Sequence, residues 1–304
     1  MSRTRVRRSA RREGGRFAPS TVTRRDVLRA TVGLAGLQAL GISPASAQAG
    51  RFRIGACDWS LGQRARTDAL GVARQLGLDG VQVSMGSVDN DLQLRRPDVQ
   101  RAYRDAAAAA GVRIGGVALD LMNQVPYKSD PRTEQWVSDS IDVARALDVR
   151  VILLAFFEKG DLRGDPEGQA EVINRLKRVA PKAERQGVVL GIESWLSAPG
   201  HLRILEAVGS RNVQVYYDLA NSTQMGYDIL AEIRQLGRDR ICEFHAKENG
   251  FLLGQGRIDF PGVRRALDDI GYGGWIQIEG AVPKGQPLLE SHTQNVRFMR
   301  THFS

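Results

Sequence analysis

The chain has 304 residues, 42% of them hydrophobic, with 43 basic and 34 acidic side chains, a formal charge of +9 and two cysteines. The positive excess invites a nucleic-acid reading, but it is local: residues 1–47 hold ten arginines against only Glu13 and Asp26, and the 33 basic and 32 acidic residues beyond them nearly cancel. That excludes the charge footprint on which binding to phosphate backbones depends, and two cysteines far apart exclude a disulfide scaffold.

The first element is a targeting segment. Arg24 and Arg25 stand in TRRDVLRA, an apolar run from Ala30 to Ile42 follows, and Ala45-Ser46-Ala47 has the small-x-small form of a cleavage signal. The run is too short for a stable membrane anchor. The segment resembles a twin-arginine (Tat) export signal, which implies recognition of residues 1–47 by the Tat export machinery, cleavage after Ala47, and a periplasmic or secreted mature protein. An ordinary secretory signal and a basic arm are the alternatives.

From residue 48 to 304, strand-like and helix-like runs alternate eight times. Strands are expected at 53–57, 80–84, 113–118, 149–156, 188–193, 213–218, 240–245 and 274–279. Between them apolar residues recur at helical spacing, as in Val137, Ile141, Ala144 and Leu147, in Val172, Leu176, Val179 and Ala183, and in Phe260, Val263, Leu267 and Ile270. GLDG, AAGV, ALDVR, RQGV and GYGG mark turns ahead of strands. Cys57 and Cys242 fall on strands and read as small buried residues. This alternation predicts parallel strands with right-handed crossovers, and eight units in one domain, residues 48–304, predict a closed (β/α)8 TIM barrel. An open doubly wound sheet is the alternative, but IGACDWSLG after strand 1 is no glycine-rich dinucleotide turn.

In such barrels the working residues sit at the C-terminal ends of the strands. The last four strands end on Glu193, Asp218, His245 and Glu279, spaced by 25, 27 and 34 residues, each about one strand–helix unit. Closure would gather three carboxylates and one imidazole, which cannot all stay charged together without a cation. One divalent metal ion is expected: Mn²⁺ first on this oxygen-rich set, with Mg²⁺, Co²⁺ and Zn²⁺ also compatible.

The stretches GIES, YYDLAN, FHAKE followed by GQGRIDF, and IEG resemble the xylose-isomerase-like TIM barrels, the sugar (phosphate) isomerase and epimerase family, over essentially the whole mature chain. The resemblance implies that Glu193, Asp218, His245 and Glu279 are the metal ligands. It also implies proton abstraction next to a carbonyl through a metal-stabilised enediolate, with Glu193 and Glu279 as the catalytic pair. Asp259 matches the family's loop before a helix and also fits an N-cap. Two positions depart from the ketose 3-epimerase pattern: Asn221 stands where a histidine is usual, and Phe251 where an arginine is usual. His245-x-Lys247 is instead similar to the dehydratase and isomerase branches.

Strand alternation places Tyr216, Glu243 and Gln277 in a polar layer beneath the metal, with Gly191 leaving room. Ordinary filling of the barrel interior is the alternative. Lys247, Asn221, Trp195 and Trp59 are the candidate substrate contacts, the tryptophans as stacking surfaces. Gln82, Asp120 and Glu158 are weaker candidates for hydroxyl recognition. The expected function is a metal-dependent isomerase or epimerase of a non-phosphorylated sugar or keto-sugar. A lyase or dehydratase acting on a keto-sugar, keto-glycoside or inosose is the alternative. An endonuclease IV-like nuclease would need several histidine ligands, and an inactive sugar-binding protein would not need all four ligands, so both stand behind these.

Overall fold

A computed structural model describes residues 52–303, so the export segment expected at 1–47 lies outside the described residues. Eight parallel strands close into a barrel in chain order: β1 Arg53–Cys57, β2 Gly80–Ser84, β3 Arg113–Leu119, β4 Val151–Phe156, β5 Val189–Ser194, β6 Val213–Asp218, β7 Ile241–Ala246 and β8 Trp275–Ile278. β8 returns to β1 with Arg53 opposite Trp275 and Ala56 opposite Ile278. The helices between and after the strands are α1 Asp68–Leu76, α2 Pro97–Ala110, α3 Arg132–Ala146, α4 Pro166–Gln186, α5 Ala198–Val208, α6 Leu219–Gln224, α7 Ile229–Leu236, α8 Phe260–Asp269 and α9 Leu288–His302. None of them is long and apolar enough to cross a membrane.

Three of the turn signals are helix caps. Gly77, Gly111 and Gly187 end α1, α2 and α4 in the left-handed region, where glycine carries no side-chain penalty. In ALDVR the corresponding residue, Asp148, takes a φ of 56° instead. At the other helix ends, Asp165, Ser197, Asp228 and Asp259 accept backbone N–H bonds from α4, α5, α7 and α8.

The wall of the barrel separates two apolar regions. Outward-facing Ile54, Val81, Val83, Val117, Ile152, Leu154, Leu190, Ile192, Val215 and Phe244 pack under the helices. Inward-facing Ala118, Val151, Leu153, Ala155, Val189 and Tyr216 form a smaller cluster inside the barrel, with Trp59 and Phe157 packed on it. A strand buried on both sides reads as a continuous apolar run. Cys57 is buried, Cys242 is half-buried, and neither is in a disulfide.

The inner cluster is drawn from β3 to β6. Polar side chains also enter the interior, and glycines make space for them. A Cβ on Gly55 would lie 2.0 Å from Gln277 Oε1, and one on Gly191 would lie 2.7 Å from Cys242 Sγ and 3.2 Å from the Tyr216 Cβ. Tyr216, Glu243 and Gln277 are all buried in the described interior.

Candidate metal centre and active site

Each member of the strand-end quartet is presented by backbone pairing. Glu193 follows Val189 and Gly191 on the inward side of β5 and lies opposite Ala155 in the ladder. Asp218 closes β6 and also caps α6: its Oδ1 accepts the Asn221 N–H at 2.7 Å, while its Oδ2 is buried without a partner. His245 stands opposite both Asp218 and Gln277 in the sheet. Glu279 is one residue past β8, yet its N–H still donates to the Ala246 carbonyl at 3.0 Å.

One ligand atom from each of Glu193, Asp218, His245 and Glu279 lies within 4.8 Å of the others. The His245 Nδ1 is 2.8 Å from Glu193 Oε1, 3.5 Å from Glu279 Oε2 and 3.8 Å from Asp218 Oδ2. Lys247 Nζ donates to Glu279 Oε2 at 2.9 Å and is 3.9 Å from Asp218 Oδ2. On the far side of Glu279, the Trp59 indole N–H donates to Oε1 at 3.0 Å. Three carboxylates and one imidazole thus converge, and the buried Asp218 Oδ2 accepts no hydrogen bond, its cationic neighbours His245 and Lys247 standing off at 3.8 and 3.9 Å. The donor set could hold a divalent metal ion.

The charges settle unevenly. Burial pushes the Glu193 and Asp218 carboxyls up, and the positive neighbours His245 and Lys247 only partly offset it. Burial acts on Glu279 in the same sense, but His245, Lys247 and the Trp59 N–H outweigh it and hold Glu279 low. The difference follows from contact distance, since Lys247 touches Glu279 and stands off from Asp218. Burial opposes a charged His245, yet the negative groups around it hold the ring well above its usual range. Burial raises Cys57 to about 12, so it remains a thiol.

A second row of contacts lies below. His245 Nε2 is 2.9 Å from Gln82 Oε1, Gln82 Nε2 donates to the Tyr216 hydroxyl at 3.1 Å, and that hydroxyl donates to Glu243 Oε2 at 3.1 Å. Burial raises Glu243 to about 8. Gln82 is one of the weaker candidates for recognising a substrate hydroxyl. It lies instead fully buried beneath His245, away from the mouth. The signal was present: Gly80, Gln82 and Ser84 share one side of β2, so a polar side chain at that parity points into the barrel.

The remaining candidates line the rim. The Trp195 ring packs on Phe157 with centroids 5.1 Å apart and under the Arg163 guanidinium at 4.7 Å. Asn221 is buried on the first turn of α6. Asp120 accepts the Ser84 hydroxyl at 2.9 Å and is paired with Arg64, which lies over Trp59 at 5.7 Å. Glu158 is bonded to Gln124. Asp259 caps α8 through the Gly262 N–H at 2.9 Å.

Residues 70–302 match the model of the xylose isomerase-like TIM barrel family. The chain belongs to that family. Among family relatives, a protein of Escherichia coli K12 that carries the name L-ribulose-5-phosphate 3-epimerase SgbU is 27% identical over 250 residues, covering 73% of this chain and 86% of that protein. The 2-epi-5-epi-valiolone 7-phosphate 2-epimerase of an Actinoplanes species is 27% identical over 225 residues, 71% of this chain and 80% of that protein. Among solved structures, the D-psicose 3-epimerase of Clostridium cellulolyticum H10 superposes with a TM-score of 0.70 at 19% identity, covering 83% of this chain and 99% of that one. At this identity the last match speaks for the shared barrel alone.

Proposed function

We propose that the chain is a divalent-metal-dependent epimerase or isomerase of a non-phosphorylated sugar or keto-sugar. One observation carries the reading: Glu193 and Glu279, from opposite flanks of the last four strands, share one buried pocket with Asp218 and His245. The epimerase names of its relatives support the same reaction class. A cation held by Glu193, Asp218, His245 and Glu279, with Mn²⁺ the first choice, would supply a Lewis acid for a carbonyl and its neighbouring hydroxyl. One of the two glutamates takes the proton from the carbon beside that carbonyl, and the other returns it. Trp59 and Lys247 hold both oxygens of Glu279 in place, which limits its loss of rotamer freedom at the reacting carbon. Trp59 and Trp195 offer flat apolar surfaces to a sugar face, and Asn221 is a candidate polar contact. A neutral substrate is favoured because the cations that reach this pocket are already engaged, Lys247 by Glu279 and Arg64 by Asp120.

A lyase or dehydratase on a keto-sugar, keto-glycoside or inosose is the second reading. It is favoured by Lys247, an ammonium at 2.9 Å from Glu279 and placed to protonate a leaving oxygen, and by Asn221 where ketose 3-epimerases usually carry histidine. Incubating the Mn²⁺-loaded protein in D₂O with ketoses, keto-glycosides, inososes and a phosphoketose separates the cases. Deuterium entering carbon without loss of water or aglycone is the expected result; an enone or free aglycone favours the lyase, turnover of the phosphoketose alone removes the neutral substrate, and no exchange with any of them overturns the proposal.

The export reading is part of the same proposal. Arg24, Arg25, the apolar run and Ala47 support Tat export of a barrel comprising 48–304. A mature protein beginning at Gln48 outside the cytoplasm is expected, and replacing both Arg24 and Arg25 by lysine should retain the precursor inside. Secretion of that double variant at the normal level would remove the Tat assignment.

A further inference from the structure

The hydrogen bonds beneath His245 have a direction. Cys57, Gln82, Tyr216, Glu243 and His245 are each at most 1% exposed, so water cannot stand in for a missing donor or acceptor. Two donors converge on the Gln82 oxygen: the Cys57 thiol at 3.2 Å and the His245 Nε2 at 2.9 Å. At the other end of the amide, Gln82 Nε2 is 3.1 Å from the Tyr216 oxygen. An amide nitrogen cannot accept, so Tyr216 accepts there and gives its own proton to Glu243 Oε2, 3.1 Å away. Turning the amide around would take the closer acceptor from the Cys57 thiol and leave it only the His245 Nε2, 3.4 Å away. It would also oblige Tyr216 to donate to the amide oxygen and so to give up the bond that it donates to Glu243 Oε2.

In the orientation found, an acceptor faces Nε2 of His245, so Nε2 carries hydrogen. Nδ1 is then the nitrogen that faces Glu193, Asp218 and Glu279 and the one at which a cation can replace a proton. We infer that Gln82 is a positioning residue for the metal centre: it fixes the Nε2-protonated tautomer of His245 so that Nδ1 is the ligand atom, while Cys57, Tyr216 and Glu243 fix the Gln82 amide. The inference rests on the metal-dependent reading above and adds to it a residue on β2, across the barrel from the strand that bears the histidine.

The test is zinc binding together with the histidine ring signals. The chain has four histidines, His201, His245, His292 and His302, so long-range ¹H–¹⁵N spectra of the Zn²⁺-loaded protein can be assigned by single substitution. The wild type should show His245 protonated at Nε2 and metal-shifted at Nδ1. Gln82→Met keeps the volume and removes the acceptor; it should weaken Zn²⁺ binding in a chelator competition about 10- to 100-fold and lose the Nε2–H signal. Gln82→Glu keeps an acceptor in that place and should retain the Nε2–H signal. Tyr216→Phe, with an unchanged melting temperature, should weaken zinc several-fold by freeing the amide to turn, and it carries the test if Gln82→Met does not fold. Metal-shifted Nε2 in the wild type overturns the inference, as do wild-type affinity and ring signals in Gln82→Met, or in Tyr216→Phe where that variant stands in. A wild type that takes up no divalent ion overturns the functional proposal first, and this inference with it.

Discussion

At the scale of single residues, Glu279 is the most constrained acid in the site, with Trp59 on one oxygen and Lys247 on the other. Glu279→Gln keeps the shape and one possible ligand oxygen but cannot accept a proton. It should bind metal more weakly yet measurably and lose solvent-proton exchange by about 10²-fold or more; undiminished exchange measured by NMR would remove Glu279 from the chemistry. Its partners differ in how readable they were. Glu193, Asp218, His245 and Glu279 were legible because each is a charged residue closing an apolar run. Trp59 and Gln82 were not, because their contacts to Glu279 and His245 span 220 and 163 residues and exist only once the barrel closes. Away from the metal cluster, His201 lies buried against the Ser194 hydroxyl at 2.9 Å. Burial lowers this imidazole from 6.5 to about 4. An unfolded ring takes a proton that the folded one refuses, so its contribution is present above about pH 6.5 and is lost as the pH falls towards 4, by up to about 3 kcal/mol. Denaturant titrations should show a flatter acid limb for His201→Gln than for the wild type. The comparison between the two proteins cancels the opposite slope from Asp58, which burial raises to about 7.

At the scale of elements, the loop from β7 to α8 shows how the GQGRIDF stretch is used. Glu248, the residue after Lys247 where the chain leaves the strand, turns inward and accepts the Arg257 and Ile258 N–H groups at 3.2 and 3.3 Å. A Cβ on Gly256 would lie 1.9 Å from the Glu248 carboxylate, and one on Gly254 would lie 2.3 Å from the Phe298 ring at a φ of 80°. Both glycines are therefore there for close approach, as well as, at Gly254, for backbone conformation. Gly256→Ala should lower stability by about 1–3 kcal/mol and disturb Lys247, read as a lower melting temperature with a raised KM. An unchanged melting temperature would mean that Glu248 moves aside freely. The sequence predicted the Asp259 cap correctly because an acid before Phe-Pro-Gly is a local signal. It did not show that α6 and α7 are separate helices between β6 and β7, since six residues of α6 are too few to display a period.

At the scale of the molecule, the barrel was legible almost to its boundaries. Eight buried parallel strands are eight apolar runs, and each end predicted lies within two residues of the strand observed. Register was not legible: which residues share a level around the ring depends on stagger, as in the irregularities at Val81/Gln82 and Val215/Tyr216. The polar filling of the lumen was legible in part. Alternation placed Tyr216, Glu243 and Gln277 inside, and the interior glycines that admit them are visible only as contacts. The two apolar regions also divide the effects of substitution. Changes under the helices, at Ile152 or Leu190, remove packing and act on stability, whereas changes inside the wall, as at Ala155 opposite Glu193, bear on the site.

The contact between Trp59 and Glu279 gives the protein a native optical reporter. An indole whose N–H is 3.0 Å from a carboxylate within the cation cluster feels any charge placed there. Titrating divalent ions into the protein should therefore shift or quench its ultraviolet emission, and Trp59→Phe should remove most of that response while Trp136, Trp195 and Trp275 go on emitting.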